Sequence, residues 1–448
     1  MSGRAFPEGF VWGGAAASYQ IEGGVHEGGR GPSVWDTFAH TPGNVEDGAT
    51  GDVACDHYHR YRDDVRLMAD LGFHSYRFSI AWPRIQPTGR GKPNAEGVAF
   101  YDRLLDSMLE AGIVPAATLF HWDYPQALED LGGWAHDDAH YWFGDYAEHC
   151  YRAFGDRIKL WITINEPWCY AFLGNGIGHH APGKNDFKLA YDVGHGLLLG
   201  HGESVTRFRS WVPDGQIGIT TNHTSVRPLT DSAEDQAAAE RFHAFMNGWF
   251  LDPVYFGDYP ELLKEVAPLK AFTPEQSASV SQSTDFMGLN FYTGAVIRHD
   301  PSSPSGYAHV DTGRPKTEMG WEVMPEAFTD VLVMSQRVWN PPRILVTENG
   351  AAYNDILEGD RVHDHDRVKY LHLYLNAMRD AIDQGVKVEG YYVWSVMDNF
   401  EWAFGYNRRF GITYVDYTTQ RRVPKDSAYF YRNVIASNAV PPPDADLR

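Results

Sequence analysis

One unit recurs along the chain: an amphipathic helical stretch, a glycine, then a short apolar run rich in β-branched and aromatic residues. Residues 61–71 carry apolar side chains at helical spacing (Tyr61, Val65, Met68), Gly72 follows, and residues 75–80 form the run. Residues 101–111, Gly112 and residues 113–119 repeat it, as do residues 368–384, Gly385 and residues 388–394. Glycine just past a helix supplies the left-handed residue that ends it. Helices alternating with strands imply parallel βαβ units. Strands are expected near 10–14, 75–80, 114–119, 160–165, 217–222, 286–290, 344–347 and 388–394. Eight such units suggest a (β/α)8 barrel, although periodicity alone leaves a doubly wound open sheet as an alternative. No internal boundary stands out, so residues 1–448 are read as one domain. Residues 300–315, rich in Pro, Ser and Gly, read as a loop over the site. A flexible tail is expected from about 440, where Pro441, Pro442 and Pro443 occur.

Two of the apolar runs lead straight into a glutamate. Leu160-Trp161-Ile162-Thr163-Ile164 precedes Asn165-Glu166-Pro167, and Ile344-Leu345-Val346-Thr347 precedes Glu348-Asn349-Gly350. Buried strands do not ordinarily end in a carboxylate, because removing it from water is costly without partners. Two such ends suggest chemistry that needs paired carboxylates. Glycosidic bond cleavage is of that kind: one carboxylic acid and one carboxylate flank the bond.

Composition narrows the classes. A formal charge of −21 argues against nucleic acid or an anionic membrane as the main partner. Three cysteines (Cys55, Cys150 and Cys169) cannot all pair within the chain, and none makes a CxxC. A reducing, cytoplasmic setting is expected. The first residues lack the apolar core of a signal peptide. No run approaches the ~20 apolar residues of a membrane span. Aromatic residues, 14% of the chain, suit a site that stacks on the apolar faces of sugar rings.

Three separated strings resemble motifs of glycoside hydrolase family 1, the β-glucosidase family: Phe10 to Gly23 (FVWGGAAASYQIEG), Thr163-Ile164-Asn165-Glu166-Pro167 and Thr347-Glu348-Asn349-Gly350. The likeness extends over about residues 6–432. One departure is Ala16, where the family usually has Thr, at a position that reads as structural. The resemblance implies a (β/α)8 barrel with its active site at the carboxyl ends of the strands. It implies a retaining β-glucosidase working through a covalent glycosyl-enzyme. No cofactor or metal is expected, and the partner is a small β-glucoside or cello-oligosaccharide.

Residue by residue, the resemblance makes Glu166 the acid/base and Glu348 the nucleophile. Arg77, ending the second strand, is a partner that would hold Glu348 ionised. Tyr292 would donate to it, and Asn165 and Asn290 complete the support. Gln20, His121, Asn165 and Glu401 match positions that hold sugar hydroxyls. Trp394 and Trp402 are candidates for a sugar platform, with Trp122 and Phe410 beside them. Trp168, His180, Asn222 and Trp321 are assigned to the leaving-group side.

The alternatives are a 6-phospho-β-glucosidase and a non-catalytic carbohydrate-binding protein on the same fold. The phosphate-binding members carry Ser where this chain has Glu401 and Tyr where it has Phe410. The non-catalytic members lack one or both glutamates, and this chain has both. Residues 178–184 have the spacing of a phosphate loop, but Asn185 stands where Ser or Thr should be and no strand precedes it. They read as a loop near the cleft. His363-Asp364-His365-Asp366 opens a predicted helix and reads as a solvated loop with an Asp cap rather than a metal site.

Overall fold

The computed structural model describes residues 4–444. Eight strands are β1 (Val11–Ala15), β2 (Ser75–Ser79), β3 (Val114–Phe120), β4 (Leu160–Asn165), β5 (Gln216–Asn222), β6 (Phe286–Asn290), β7 (Ile344–Asn349) and β8 (Val388–Trp394). They close into a barrel in which every neighbour is next in this order and β8 returns to β1. All eight pairings are parallel. Closure removes the open-sheet alternative. It also explains why the strands read as continuous apolar runs, since both faces are covered. Every residue of β2 is buried, as is every residue of β6 and β7.

The helix–glycine–strand unit has a local cause. Helices His57–Asp70, Ala95–Glu110 and His365–Asp383 end near Gly72, Gly112 and Gly385, whose φ values are 79°, 74° and 92°. The N–H groups of Phe73, Ile113 and Val386 then reach back to the carbonyls of Met68, Met108 and Ala381. Each of these three pairs is buried, so one turn satisfies the helix end and starts the next strand's core.

Three sequence expectations change. Residues 300–315 are not simply a loop, and none of them lines the cleft. Tyr307–His309 pairs antiparallel with Ala295–His299, which in turn pairs with Val226–Pro228. This side sheet packs Ile297 against Ala238 and Phe242. Asp364 is not a solvated cap: it is buried, makes no side-chain cap bond, and accepts from Ser427 N at 2.8 Å and from Arg367. The start of the expected tail is packed, with Val440 buried and the Pro441 carbonyl 3.0 Å from His372 Nδ1. Residues 445–448 lie outside the described residues.

Candidate active site

Glu166 stands one residue beyond β4, and Glu348 is the penultimate residue of β7, which runs two residues further than expected. Both are buried and both line a cleft of about 270 Å³ at the carboxyl ends of the strands. Gly350 lets β7 and β8 close there, because a Cβ would stand 1.8 Å from the Trp394 carbonyl oxygen. Three lining residues, Trp122, Glu166 and Trp402, hold φ of 78°, 45° and 49°. That left-handed region costs a side-chain-bearing residue roughly 1–2 kcal/mol. Such strain tends to gather at functional sites.

The two carboxyls have different surroundings. Arg77 Nη1 donates to Glu348 Oε1 at 2.7 Å, and Tyr292 donates its hydroxyl to Oε2 at 2.7 Å. Arg77 is itself fixed, donating to the Thr347 carbonyl at 2.9 Å and to Asn165 Oδ1 at 2.6 Å. Glu166 has no cation against it. Asn290 Nδ2 donates to its Oε1 at 2.8 Å, and the Cys169 thiol donates to Oε2 at 3.2 Å. Asn290 is held in turn by Thr347 at 2.7 Å. Burial, then the charge on Glu348, pushes the Glu166 carboxyl up to about 7. Burial lifts Glu348 as well, with Arg77 and Tyr292 pulling against it. Glu348 is therefore the member of the pair that ionises first.

Around them lies a polar and aromatic wall. Burial and Arg77 hold the His121 ring well below the usual imidazole value, so it is neutral. Asn165 Nδ2 donates to His121 Nε2 at 3.2 Å, which places the ring proton on Nδ1. Gln20 Nε2 donates to Asn399 Oδ1 and the Phe400 carbonyl, leaving its Oε1 without a protein partner. Burial, then the charges of Glu348 and Glu166, raise Glu401 to about 8, so at neutral pH this carboxyl both donates and accepts. The Trp394 and Trp402 rings flank His121 at 5.8 and 6.0 Å, and Trp122 lies 4.7 Å from Trp402. Tyr292, Trp321 and Phe410 form a second aromatic group, with centroids 5.2 to 6.2 Å apart.

The segment from Trp394 to Trp402 is anchored from behind. Buried Asp398 accepts from Lys425 Nζ at 2.7 Å, Arg409 Nη1 at 2.6 Å and the Gly411 N–H at 3.0 Å. Lys425 also reaches Asp355, which pairs with Arg367.

Of the residues singled out from sequence, His121, Trp122, Asn165, Glu166, His180, Tyr292, Trp321, Glu348, Trp394, Glu401, Trp402 and Phe410 line the cleft. Arg77 and Asn290 stand behind it, bonded to lining residues, and Gln20, 3.5 Å from lining Glu401, keeps its Oε1 without a protein partner. Two leaving-group candidates, Trp168 and Asn222, are not among the lining residues. Trp168 turns away onto Phe172 and Phe245, at 4.9 and 5.6 Å. Asn222 ends β5 level with Asn290 and is half-buried. Ala16 is buried, with its N–H bonded to the Arg77 carbonyl. Sequence reasoning missed Cys169, Leu173, His179, Met319 and Phe404, all of which line the cleft. Cys169 had a signal: it lies three residues past Glu166, at the start of a helical segment, where i and i+3 share a face. That segment, Cys169–Gly176, is π-wound, a form often found at functional sites.

Comparison with known proteins agrees with this geometry. The model for glycosyl hydrolase family 1 matches residues 2–440. β-Glucosidase A of Thermotoga maritima is 47% identical over 98% of this chain and 100% of its own length. The 1,4-β-D-glucan glucohydrolase of Thermotoga neapolitana is 47% identical over 98% of this chain and 99% of its own. The Thermotoga maritima family 1 glycoside hydrolase solved with a cyclophellitol analogue transition-state mimic superposes with a TM-score of 0.96 at 46% identity, covering 98% of this chain and 100% of that one. A closed parallel barrel, two unlike buried carboxyls in its mouth and full-length likeness to these enzymes lead to one assignment: the chain belongs to glycosyl hydrolase family 1.

Proposed function

We propose that this chain is a retaining β-glucosidase in which Glu348 is the nucleophile and Glu166 the acid/base. The observation that carries the assignment of roles is the asymmetry of the pair: a cation and a phenol hold Glu348, whereas Glu166 is lifted to about 7. In the first step Glu348 attacks the anomeric carbon while Glu166 passes its proton to the departing glycosidic oxygen. The aglycone leaves and a glycosyl ester forms on Glu348. In the second step Glu166, now ionised, takes a proton from water, which attacks the anomeric carbon and releases glucose. Net retention follows from the two inversions.

Gln20, His121, Asn165 and Glu401 hold the hydroxyls of the non-reducing glucosyl ring, with the Trp394 and Trp402 rings as its apolar wall. Trp321, Met319, Leu173 and His179 face the aglycone. Cello-oligosaccharides and aryl β-glucosides are the substrates this arrangement supports. A 6-phosphoglucoside is disfavoured, because no Lys or Arg lines the cleft among the described residues and Glu401 stands where the phosphate would go. A purely binding role is disfavoured by the presence of both glutamates. Among the described residues no helix is long and apolar enough to cross a membrane. Three free thiols support a reducing, cytoplasmic setting, testable by assaying fractionated cells.

The test is initial rates on 4-nitrophenyl β-D-glucoside, the β-galactoside and the 6-phosphoglucoside, with Glu348→Gly alongside. Turnover of the plain glucoside, lost by several orders of magnitude in the variant, is the expected result. Turnover of the phosphorylated substrate alone, or a fully active variant, would overturn the reading.

A further inference from the structure

Cys169 is the one cysteine that reaches the cleft; Cys55 and Cys150 are fully buried elsewhere. Its backbone N–H bonds to the Glu166 carbonyl at 3.0 Å. This turn brings Sγ back to Glu166 Oε2 at 3.2 Å. The other carboxyl oxygen is already committed, since Asn290 offers Oε1 only a donor, at 2.8 Å. In the ionised form both Glu166 oxygens are thus held by a donor, Oε1 by Asn290 and Oε2 by the thiol.

From this geometry we propose that Cys169 is a positioning residue for the acid/base: its S–H bond to Oε2 favours the ionised carboxyl and sets where the enzyme loses activity at high pH. The inference rests on Glu166 being the acid/base. An S–H donor is weak, but a bond to a charged acceptor in a water-poor cleft is stronger than its neutral counterpart. Burial and the neighbouring Glu166 hold the Cys169 thiol well above its usual value, so it remains a donor through the working range. The thiol therefore opposes the protonated form that the first step requires and supports the ionised form that the second step requires. Hydrophobic residues of similar size would fill the same space without supplying that donor.

The experiment is the pH dependence of kcat/KM on 4-nitrophenyl β-D-glucoside for Cys169→Val and Cys169→Ser. Valine retains bulk and removes the donor; serine restores a hydroxyl. In Cys169→Val the alkaline limb should move up by about half a pH unit. kcat/KM at pH 8 should then rise about threefold relative to its value at pH 5.5, compared with wild type. In Cys169→Ser the limb should return toward the wild-type position. A Cys169→Val limb that stays in place, or a serine variant that behaves like valine, would overturn the proposal. Glu166→Ala assayed with and without azide separates the two levels of inference. Azide-dependent formation of glucosyl azide supports the acid/base assignment whatever the cysteine variants do. No response to azide would remove the assignment on which the proposal rests.

Discussion

Neutralising Glu348 should lower the pKa of Glu166 without altering its burial. The free enzyme holds Glu166 at about 7 against an ordinary 4.5, through burial first and the Glu348 charge second. That lift discriminates between its two protonation states by about 3 kcal/mol. Two carboxylates at the ~5.5 Å separation of retaining enzymes repel by about 3 kcal/mol at an effective dielectric constant of 20. Arg77, bonded to Glu348 at 2.7 Å and itself pulling Glu166 down, cancels part of this. A fall of about one to two pH units is expected when the Glu348 charge is removed. The same loss of charge occurs in catalysis, when Glu348 becomes an ester, and it would convert Glu166 from acid to base between the two steps. The assay is ¹³C NMR titration of glutamate-labelled protein, with the Glu166 signal assigned by Glu166→Gln. It compares wild type, Glu348→Gln and enzyme trapped with a 2-deoxy-2-fluoroglucosyl donor. Wild type should titrate near 7 and both charge-neutral forms clearly below it. An unchanged midpoint in both would refute the reasoning and leave burial as the whole cause.

Other perturbations have equally definite outcomes. Glu401, lifted to about 8, binds a proton more tightly folded than unfolded, so its contribution to stability is complete below about pH 4.5 and is lost as pH rises to about 8. Glu401→Gln should flatten the fall in Tm between pH 5 and 8.5, and an unchanged slope would contradict the lift. Lys425→Met leaves Asp355 and Asp398 short of a cation in a fully buried cluster and should destabilise the protein by about 3–5 kcal/mol in urea unfolding; a loss below 1 kcal/mol would show that the cluster rearranges. Arg77→Met should depress kcat/KM on 4-nitrophenyl β-glucoside by at least 10²-fold, with a near-native circular dichroism spectrum, and near wild-type rates would remove Arg77 from the support of Glu348.

The barrel was legible because its units are local. Met68, Gly72 and Phe73 close a helix and open a strand within six residues, and the pattern recurs with Met108, Gly112 and Ile113. The catalytic pair was legible because Glu166 and Glu348 contradict the apolar runs that precede them. Closure of the sheet was not legible from spacing, since it depends on β8 meeting β1 across most of the chain. Trp168 and Asn222 were expected on the leaving-group side and are not among the residues lining the cleft, for a related reason. Adjacency to Glu166 or to a strand end says nothing of direction, and the π-wound turn after Glu166 presents Cys169 and Leu173 to the cleft rather than Trp168. The side sheet around Ile297 was hidden because residues 300–315 have loop composition, and their partner, Ala295–His299, is itself held by the distant Val226–Pro228.

The left-handed backbones of Trp122, Glu166 and Trp402 bear on how this protein responds to selection. A glycine at any of the three would relieve a local conformational penalty, and at Glu166 it would also remove a buried carboxyl. Relief of strain and loss of catalysis therefore lie in the same direction at Glu166, whereas at Trp122 and Trp402 the loss of a buried ring, about 3–5 kcal/mol, outweighs the backbone penalty of about 1–2 kcal/mol. A mutant library screened for folding alone should accumulate substitutions at Glu166, whereas one screened for sugar release should find its stabilising changes in the outer helices.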